Sequence, residues 1–319
     1  MQKHRSMRNI KKFENEAAYE AFKASEDFVT PNLSWCVQEN TIKRNKYGKS
    51  IDALKLTLCE EGKIGFFIPE NITSVEYIEY STDGENWTRV DNDITQEQNI
   101  VMMEGLGGDF VYVRGQATAY AAKAGACCFQ AADSTEQELV GFNAEGDILS
   151  LLGTTNFADT VGAFDSLFAG SLIVDASKLV LPDITADECY YDMFHNCTSL
   201  TSAPALPATT LADGCYRRMF YGCTSLTSAP VLPATTLAYE CYDSMFRGCT
   251  SLEEVTMLAI TVDPEYQVPN WLDGAGITTT SKIIINDDYQ FVQSDLNYSS
   301  AAFAVYNQSG ELIWDYVVR

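Results

Sequence analysis

Six of the chain's ten cysteines fall in pairs eight residues apart: Cys189 and Cys197, Cys215 and Cys223, Cys241 and Cys249. Thiols at a fixed spacing can form disulfides, hold a soft metal or attack as nucleophiles. Eight residues of helix rise roughly 12 Å, which is beyond the reach of a disulfide within one pair. Bonds between successive pairs are geometrically open, but three equivalent cysteines in a column cannot all pair. Zinc needs close C-x2-C pairs and usually histidine, and neither accompanies these positions. The six therefore read as buried free thiols acting as small apolar core groups, and the absence of a disulfide framework fits assembly in a reducing compartment. No metal and no cofactor is expected.

The remaining chemistry is sparse. The chain has two histidines, His4 and His195. His195 occupies a position that also holds Tyr221 and Arg247, so it reads as a surface residue, and no Ser-His-Asp or Cys-His set can be assembled around it. Carboxylates abound, but no spacing singles out a glycosidase pair. Asp91-Asn92-Asp93 and Asp287-Asp288 have oxygen ligands suited to calcium, although solvated acidic turns explain them as well. An enzyme is not expected, with a carbohydrate-active enzyme kept as a remote alternative.

The cysteines are positioned by a 26-residue repeat: CYYDMFHNCTSL, CYRRMFYGCTSL and CYDSMFRGCTSL, the last two each preceded by SAPxLPATTLA. A period in this range is the signature of a leucine-rich-repeat solenoid. In the middle unit Cys215, Tyr216, Met219, Phe220 and Cys223 are constant, and their spacing predicts the apolar stripe of a two-turn helix. Gly222, Gly248 and Asn196 are placed to end that helix. Leu226–Leu232 reads as extended, with Pro230 and Pro233 excluding it from a sheet interior. The varying positions give a candidate partner-contact face of Arg217, Arg218, Tyr221, Tyr239 and Arg247, since arginine and tyrosine favour interfaces. A second candidate, the strand face of Thr201, Ala203, Thr227 and Ala229, is small and uniform. A plain solubilising face is the competing reading of the arginines. Phe164, Leu167, Phe168 and Ser171 form an eroded upstream copy, as a capping turn would.

Around the repeat, residues 10–27 read as an amphipathic helix with Phe13, Ala17, Ala21 and Ala24 on one face. Short β-rich runs follow Pro31, including a hairpin from Val75 through Asp83-Gly84 to Thr88, with Trp87 expected in the core. Lys282–Asn286 reads as a strand and 303–317 as a hairpin. The predicted fold class is α+β: an N-terminal helix and β-sandwich followed by a short leucine-rich-repeat solenoid with a C-terminal β cap. The predicted divisions are a basic helical anchor over 1–30, a sandwich over 31–130, the solenoid with its capping turn over 131–262, and the cap over 263–319. The net charge of −23 is uneven: residues 1–50 hold ten Lys and Arg against six Asp and Glu, and the remainder eleven against thirty-eight. That excess argues against nucleic acid as a partner. It makes the basic end the place to dock on an acidic protein. No run approaches a membrane span, so membrane insertion is not expected, and the N-terminus has no signal-peptide core.

The repeat motif together with Leu172–Pro182, EYSTDGENW, FNAEGDILSLLG and KKFENEAAYEAF resembles the BspA-like leucine-rich-repeat surface proteins of Bacteroidota and their phages, over most of the chain. The resemblance implies adhesion or protein recognition, with no catalytic residues to carry over. Combined with free thiols and no export signal, the expectation is a non-enzymatic phage virion structural protein of fibre or decoration type. It would assemble in the host cytoplasm, bind other virion proteins through its N-terminal segment and meet a host surface protein or glycan as a homo-oligomer. A bacterial cell-surface adhesin is the alternative.

Overall fold

The computed structural model describes residues 43–44, 50–122, 125–153, 161–183, 186–263, 265–276, 281–288 and 304–315. The predicted helix over 10–27 and the anchor over 1–30 lie outside them. The chain divides into two compact units, Met1–Asn40 and Thr41–Arg319, and all described residues belong to the second.

Alternating sequence builds the first half. A two-stranded ribbon joins β1 (Lys43–Arg44) to β2 (Ser50–Ile51), and another joins β9 (Ala121–Ala122) to β10 (Gly125–Ala126). The larger strands are β3 (Leu54–Leu58), β4 (Gly62–Ile68), β5 (Val75–Ser81), β6 (Thr88–Asp91), β7 (Gln98–Gly105), β8 (Phe110–Ala117), β11 (Cys128–Ala132), β12 (Phe142–Asp147) and β13 (Ile173–Val180). They form a six-stranded sheet ordered β13-β12-β3-β8-β5-β6 and a three-stranded sheet ordered β11-β4-β7. Every pair is antiparallel except β12–β13, which is parallel. Leu54, Leu56 and Leu58 from the first sheet and Ile64, Phe66 and Ile68 from the second alternate into one shared core, the period-two signature of a half-buried strand. The hairpin β5–β6 turns through Asp83, whose carboxylate accepts N–H bonds from Glu85 and Asn86, both at 2.8 Å. Trp87 is not a core residue: it is half-buried beneath the Arg114 guanidinium, 3.8 Å above its ring.

The repeat contradicts the predicted fold class. Among the described residues there is no α-helix; a 3-10 turn spans Ile148–Leu151, and strand accounts for 34% of the structure against 2% helix. Where helices were expected, the chain makes consecutive reverse turns. Tyr191, Met193, His195 and Cys197 each donate an N–H to the carbonyl three residues back, whereas Tyr190, Asp192, Phe194 and Asn196 donate to Cys215, Arg217, Met219 and Tyr221 in the next repeat at 2.7–3.2 Å. Every fourth residue has left-handed backbone: Glu188, Asp192 and Asn196, then Gly214, Arg218 and Gly222, then Glu240, Ser244 and Gly248. A right-handed helix admits no such residue. The backbone period is therefore four residues, and it places the apolar pairs inward at the i, i+1, i+4, i+5 spacing that the sequence shows.

The extended segments do not build a solenoid of sheets either. Between β13 and β14 (Glu254–Met257) the links are isolated bridges, Asp175–Ser202, Ser228–Glu254 and Leu232–Met257, and prolines at 204, 207, 230 and 233 have no N–H to extend them. β14 pairs in parallel with β15 (Lys282–Ile285), β15 in parallel with β16 (Ala304–Asn307), and β16 antiparallel with β17 (Leu312–Asp315). The turn stack also runs one unit beyond the readable repeat. Tyr242, Ser244, Phe246 and Gly248 donate to Gln267, Pro269, Trp271 and Asp273, and Val268, Trp271, Leu272 and Ala275 fill the slots of Tyr242, Met245, Phe246 and Cys249.

Two columns of rings run through the stack. One is Tyr120, Phe164, Tyr190, Tyr216 and Tyr242, with centroids 5.3–6.5 Å apart. The other is Phe129, Phe168, Phe194, Phe220 and Phe246, at 5.4–5.8 Å. Both start on Phe66 of β4, which touches Tyr120 at 5.9 Å and Phe129 at 4.5 Å. The turn geometry predicts that Glu188→Gly, at φ 55° and exposed, leaves stability unchanged or raises it by up to about 1 kcal/mol, because glycine carries no left-handed penalty. Helical backbone would instead cost about 1 kcal/mol for the same change. Urea denaturation separates the two.

Candidate partner-contact face

The varying residues do lie together along the stack, but largely as partners of one another. Arg217 Nη1 lies 2.6 Å from Glu240 Oε2, and its Nε 2.9 Å from Asp243 Oδ2. Arg218 Nε lies 3.3 Å from Asp192 Oδ1, its Nη1 donates to the Tyr191 hydroxyl at 2.8 Å, and its Nη2 meets His195 Nε2 at 3.2 Å. Arg247 Nε is 3.0 Å from Asp273 Oδ2. Each arginine thus bridges to a carboxylate on a neighbouring turn. The Tyr221 ring sits between the guanidinium groups of Arg218 at 5.2 Å and Arg247 at 5.9 Å, and 5.0 Å from the His195 ring. Four of the five predicted contact residues are therefore engaged within the fold. Tyr239 is the most exposed of the five, with its ring beside that of Tyr266 and its hydroxyl hydrogen-bonded to the Glu240 carboxylate.

Electrostatics follow from this stapling. Burial pushes the Asp165 carboxyl up to about 6, helped by the nearby charges of Asp192 and Glu188 and opposed by the Ser166 hydroxyl that donates to it at 2.6 Å and by Arg218. Burial also raises Asp192, against the pull of Arg218, and lowers His195. Burial thus favours the neutral form of His195, whose Nε2 faces Arg218 and whose ring lies against Tyr221.

The thiols are equally constrained. Cys197, Cys223 and Cys249 donate S–H to the carbonyls of Phe168, Phe194 and Phe220 on the preceding turn, at 3.0–3.1 Å. Burial pushes Cys197, Cys215 and Cys249 up to about 12 and raises Cys189 and Cys223 well above the usual thiol range. None of the nine described cysteines is in a disulfide, and of these only Cys59 is exposed. The thiolate is the reactive and metal-binding form, so the six repeat cysteines are core groups in chemical as well as structural terms.

The acidic turns serve the backbone. Asp91 holds Arg89 at 2.7 Å, Asn92 donates to the carbonyls of Ile72 and Val75, and Asp93 accepts from Thr95. Asp287 accepts from the Gln308 N–H. Among the described residues no group of three or more His, Cys, Asp or Glu is arranged to hold a metal ion, and no helix is long and apolar enough to cross a membrane. On the strand side Thr201 donates through its hydroxyl to the Val174 carbonyl at 3.0 Å, and Ala203 and Ala229 pack on the core.

No protein-family model, curated protein or solved structure matches this chain. The stack is not a leucine-rich-repeat solenoid, and no match carries a phage or virion assignment.

The raised Asp165 carboxyl gives a signed pH prediction. The folded state binds this proton more tightly than the unfolded state, so the cost of its charge is absent below the ordinary carboxylate range, grows as pH rises from that range to about 6 and is constant above it. Asp165→Asn keeps an acceptor for Ser166. It is expected to stabilise the protein by about 1–3 kcal/mol at pH 7.5 and by almost nothing at pH 4, as read from urea midpoints. An equal gain at both values would show that the carboxyl is not perturbed.

Proposed function

We propose that this protein is a non-enzymatic structural protein that presents its repeat stack for adhesion or protein recognition. The observation that carries the reading is the engagement of the reactive side chains in the fold. The repeat thiols are hydrogen-bonded or buried and protonated, and His195 is held by Arg218. Asp192 is ion-paired with Arg218, as Asp243 is with Arg217. A cavity of about 140 Å³ lies at the ends of β4 and β7, lined by Glu61, Gly62, Glu104, Gly105, Leu106 and Ser134. It is smaller than the ~300–1,000 Å³ of usual small-molecule sites. Rigidity supports the same reading: aromatic columns and turn-to-turn hydrogen bonds fix the exposed positions before any partner arrives, which reduces the ordering cost of binding.

The test is a glycan and protein array probed with the intact chain, run beside a reducing-sugar release assay on the same glycans. Retention of a partner with no sugar released is the expected outcome. Turnover that survives purification to homogeneity would overturn the proposal.

A further inference from the structure

The partner-contact residue left exposed is Tyr239. The residue is 52% exposed and its ring lies 6.4 Å from that of Tyr266, a residue 55% exposed, at an interplanar angle of 35°. Tyr266 belongs to the last turn of the stack. Two neighbouring tyrosines, each more than half exposed, contribute little to the core, and exposed aromatic residues are enriched in recognition surfaces.

Between residues 186 and 276 every exposed charged residue is acidic. Asp187, Asp213, Asp263 and Glu265 are all exposed. The Asp213 carboxylate accepts the Tyr239 N–H at 3.1 Å, and the Asp187 carboxylate accepts the Asp213 N–H at 3.2 Å, so the carboxylates and the ring are fixed in one backbone column. Arg217, the cation close enough to act on Tyr239, is already held between Glu240 and Asp243. An anionic partner would meet these carboxylates with no unengaged arginine of the stack to receive it. A purely apolar partner would have to desolvate them without compensation. A guanidinium meets both demands, because it stacks on a tyrosine face and pairs with carboxylates through its planar fork.

We propose that the Tyr239–Tyr266 corner docks a cationic, arginine-bearing segment of a partner protein. This rests on the recognition role proposed above and deepens it, by naming the charge of the partner. The rings supply the contact, and the carboxylates set its sign and its salt dependence.

The experiment measures fluorescence anisotropy of a labelled nonapeptide of alternating arginine and serine, and of its lysine counterpart, on the full chain at 0.15 M salt. The double variant Tyr239→Ala/Tyr266→Ala changes no charge at neutral pH and touches no core residue. It is expected to weaken the arginine peptide by about 5- to 30-fold, the sum of two exposed cation–π contacts, with an unchanged melting temperature and a smaller loss for the lysine peptide. A control, Tyr77→Ala on the six-stranded sheet, should leave binding intact. No measurable binding by the wild-type chain, the same affinity in the double variant, or an equal loss in the control would overturn the proposal. The last two results would mean diffuse attraction to a chain of charge −23. None of these outcomes bears on the absence of turnover, which the sugar-release assay tests separately.

Discussion

The stacking of aromatic rings from turn to turn is the interaction on which the rest of this structure depends. Each repeat contributes one ring to each of two columns, and the ring spacing of 5.3–6.2 Å within the repeats sets the distance at which neighbouring backbones meet. At that distance every second N–H of one turn reaches a carbonyl of the next. The intervening N–H groups close reverse turns inside their own repeat. A left-handed residue at every fourth position is the cost of this pattern, about 1–2 kcal/mol where it is not glycine. The buried rings and the ladder of inter-turn bonds offset that cost. The columns do not end with the repeat: both converge on Phe66, so the sandwich and the stack share one hydrophobic core.

The same constraint decides the chemistry. A cysteine that closes each turn is forced against the Phe carbonyl of the preceding turn, where its proton is held and its thiolate is disfavoured. Side chains outside the columns meet their equivalents from adjacent repeats at the same short spacing. Like charges would repel there, and the chain instead alternates Asp192, Arg217, Arg218, Glu240, Asp243, Arg247 and Asp273 across the turns. Variation that looks like recognition is in large part charge complementarity within the stack. The corner at Tyr239 and Tyr266 lies where that pairing stops.

Much of this was legible in the residues and some was not. The 26-residue period identified the buried set correctly: Cys215, Tyr216, Met219, Phe220 and Cys223 are all at most 1% exposed. It could not separate a four-residue backbone period from a 3.6-residue one, because over eight residues the two diverge by less than one position. The signal that does separate them is the series Glu188, Asp192, Asn196, in which non-glycine residues take left-handed backbone with no change in apolar pattern. The last turn escaped notice because it keeps residue class and not residue identity: Val268, Trp271, Leu272 and Ala275 stand for Tyr242, Met245, Phe246 and Cys249, and only Gly274 repeats Gly248. Among the contact residues, the arginines were visible as a face. Three of their four carboxylate contacts, Arg218–Asp192, Arg217–Asp243 and Arg247–Asp273, lie one 26-residue period apart, so aligned repeats place each arginine in a column with its carboxylate; a reading of the varying positions as one outward face, and not as columns, leaves that neutralisation out of view. Trp87 failed for another reason, since its covering group, Arg114, lies on a different strand.

The claim that stack and sandwich are one core joined through Phe66 is tested most directly by native-state hydrogen exchange across rising denaturant. The amides of Tyr190, Phe194, Tyr216 and Phe220 on the stack, and that of Phe66 on β4, are predicted to merge into a single opening with one free energy and one denaturant dependence. Exchange of the repeat amides through a separate, lower-energy opening while Phe66 remains protected would contradict it.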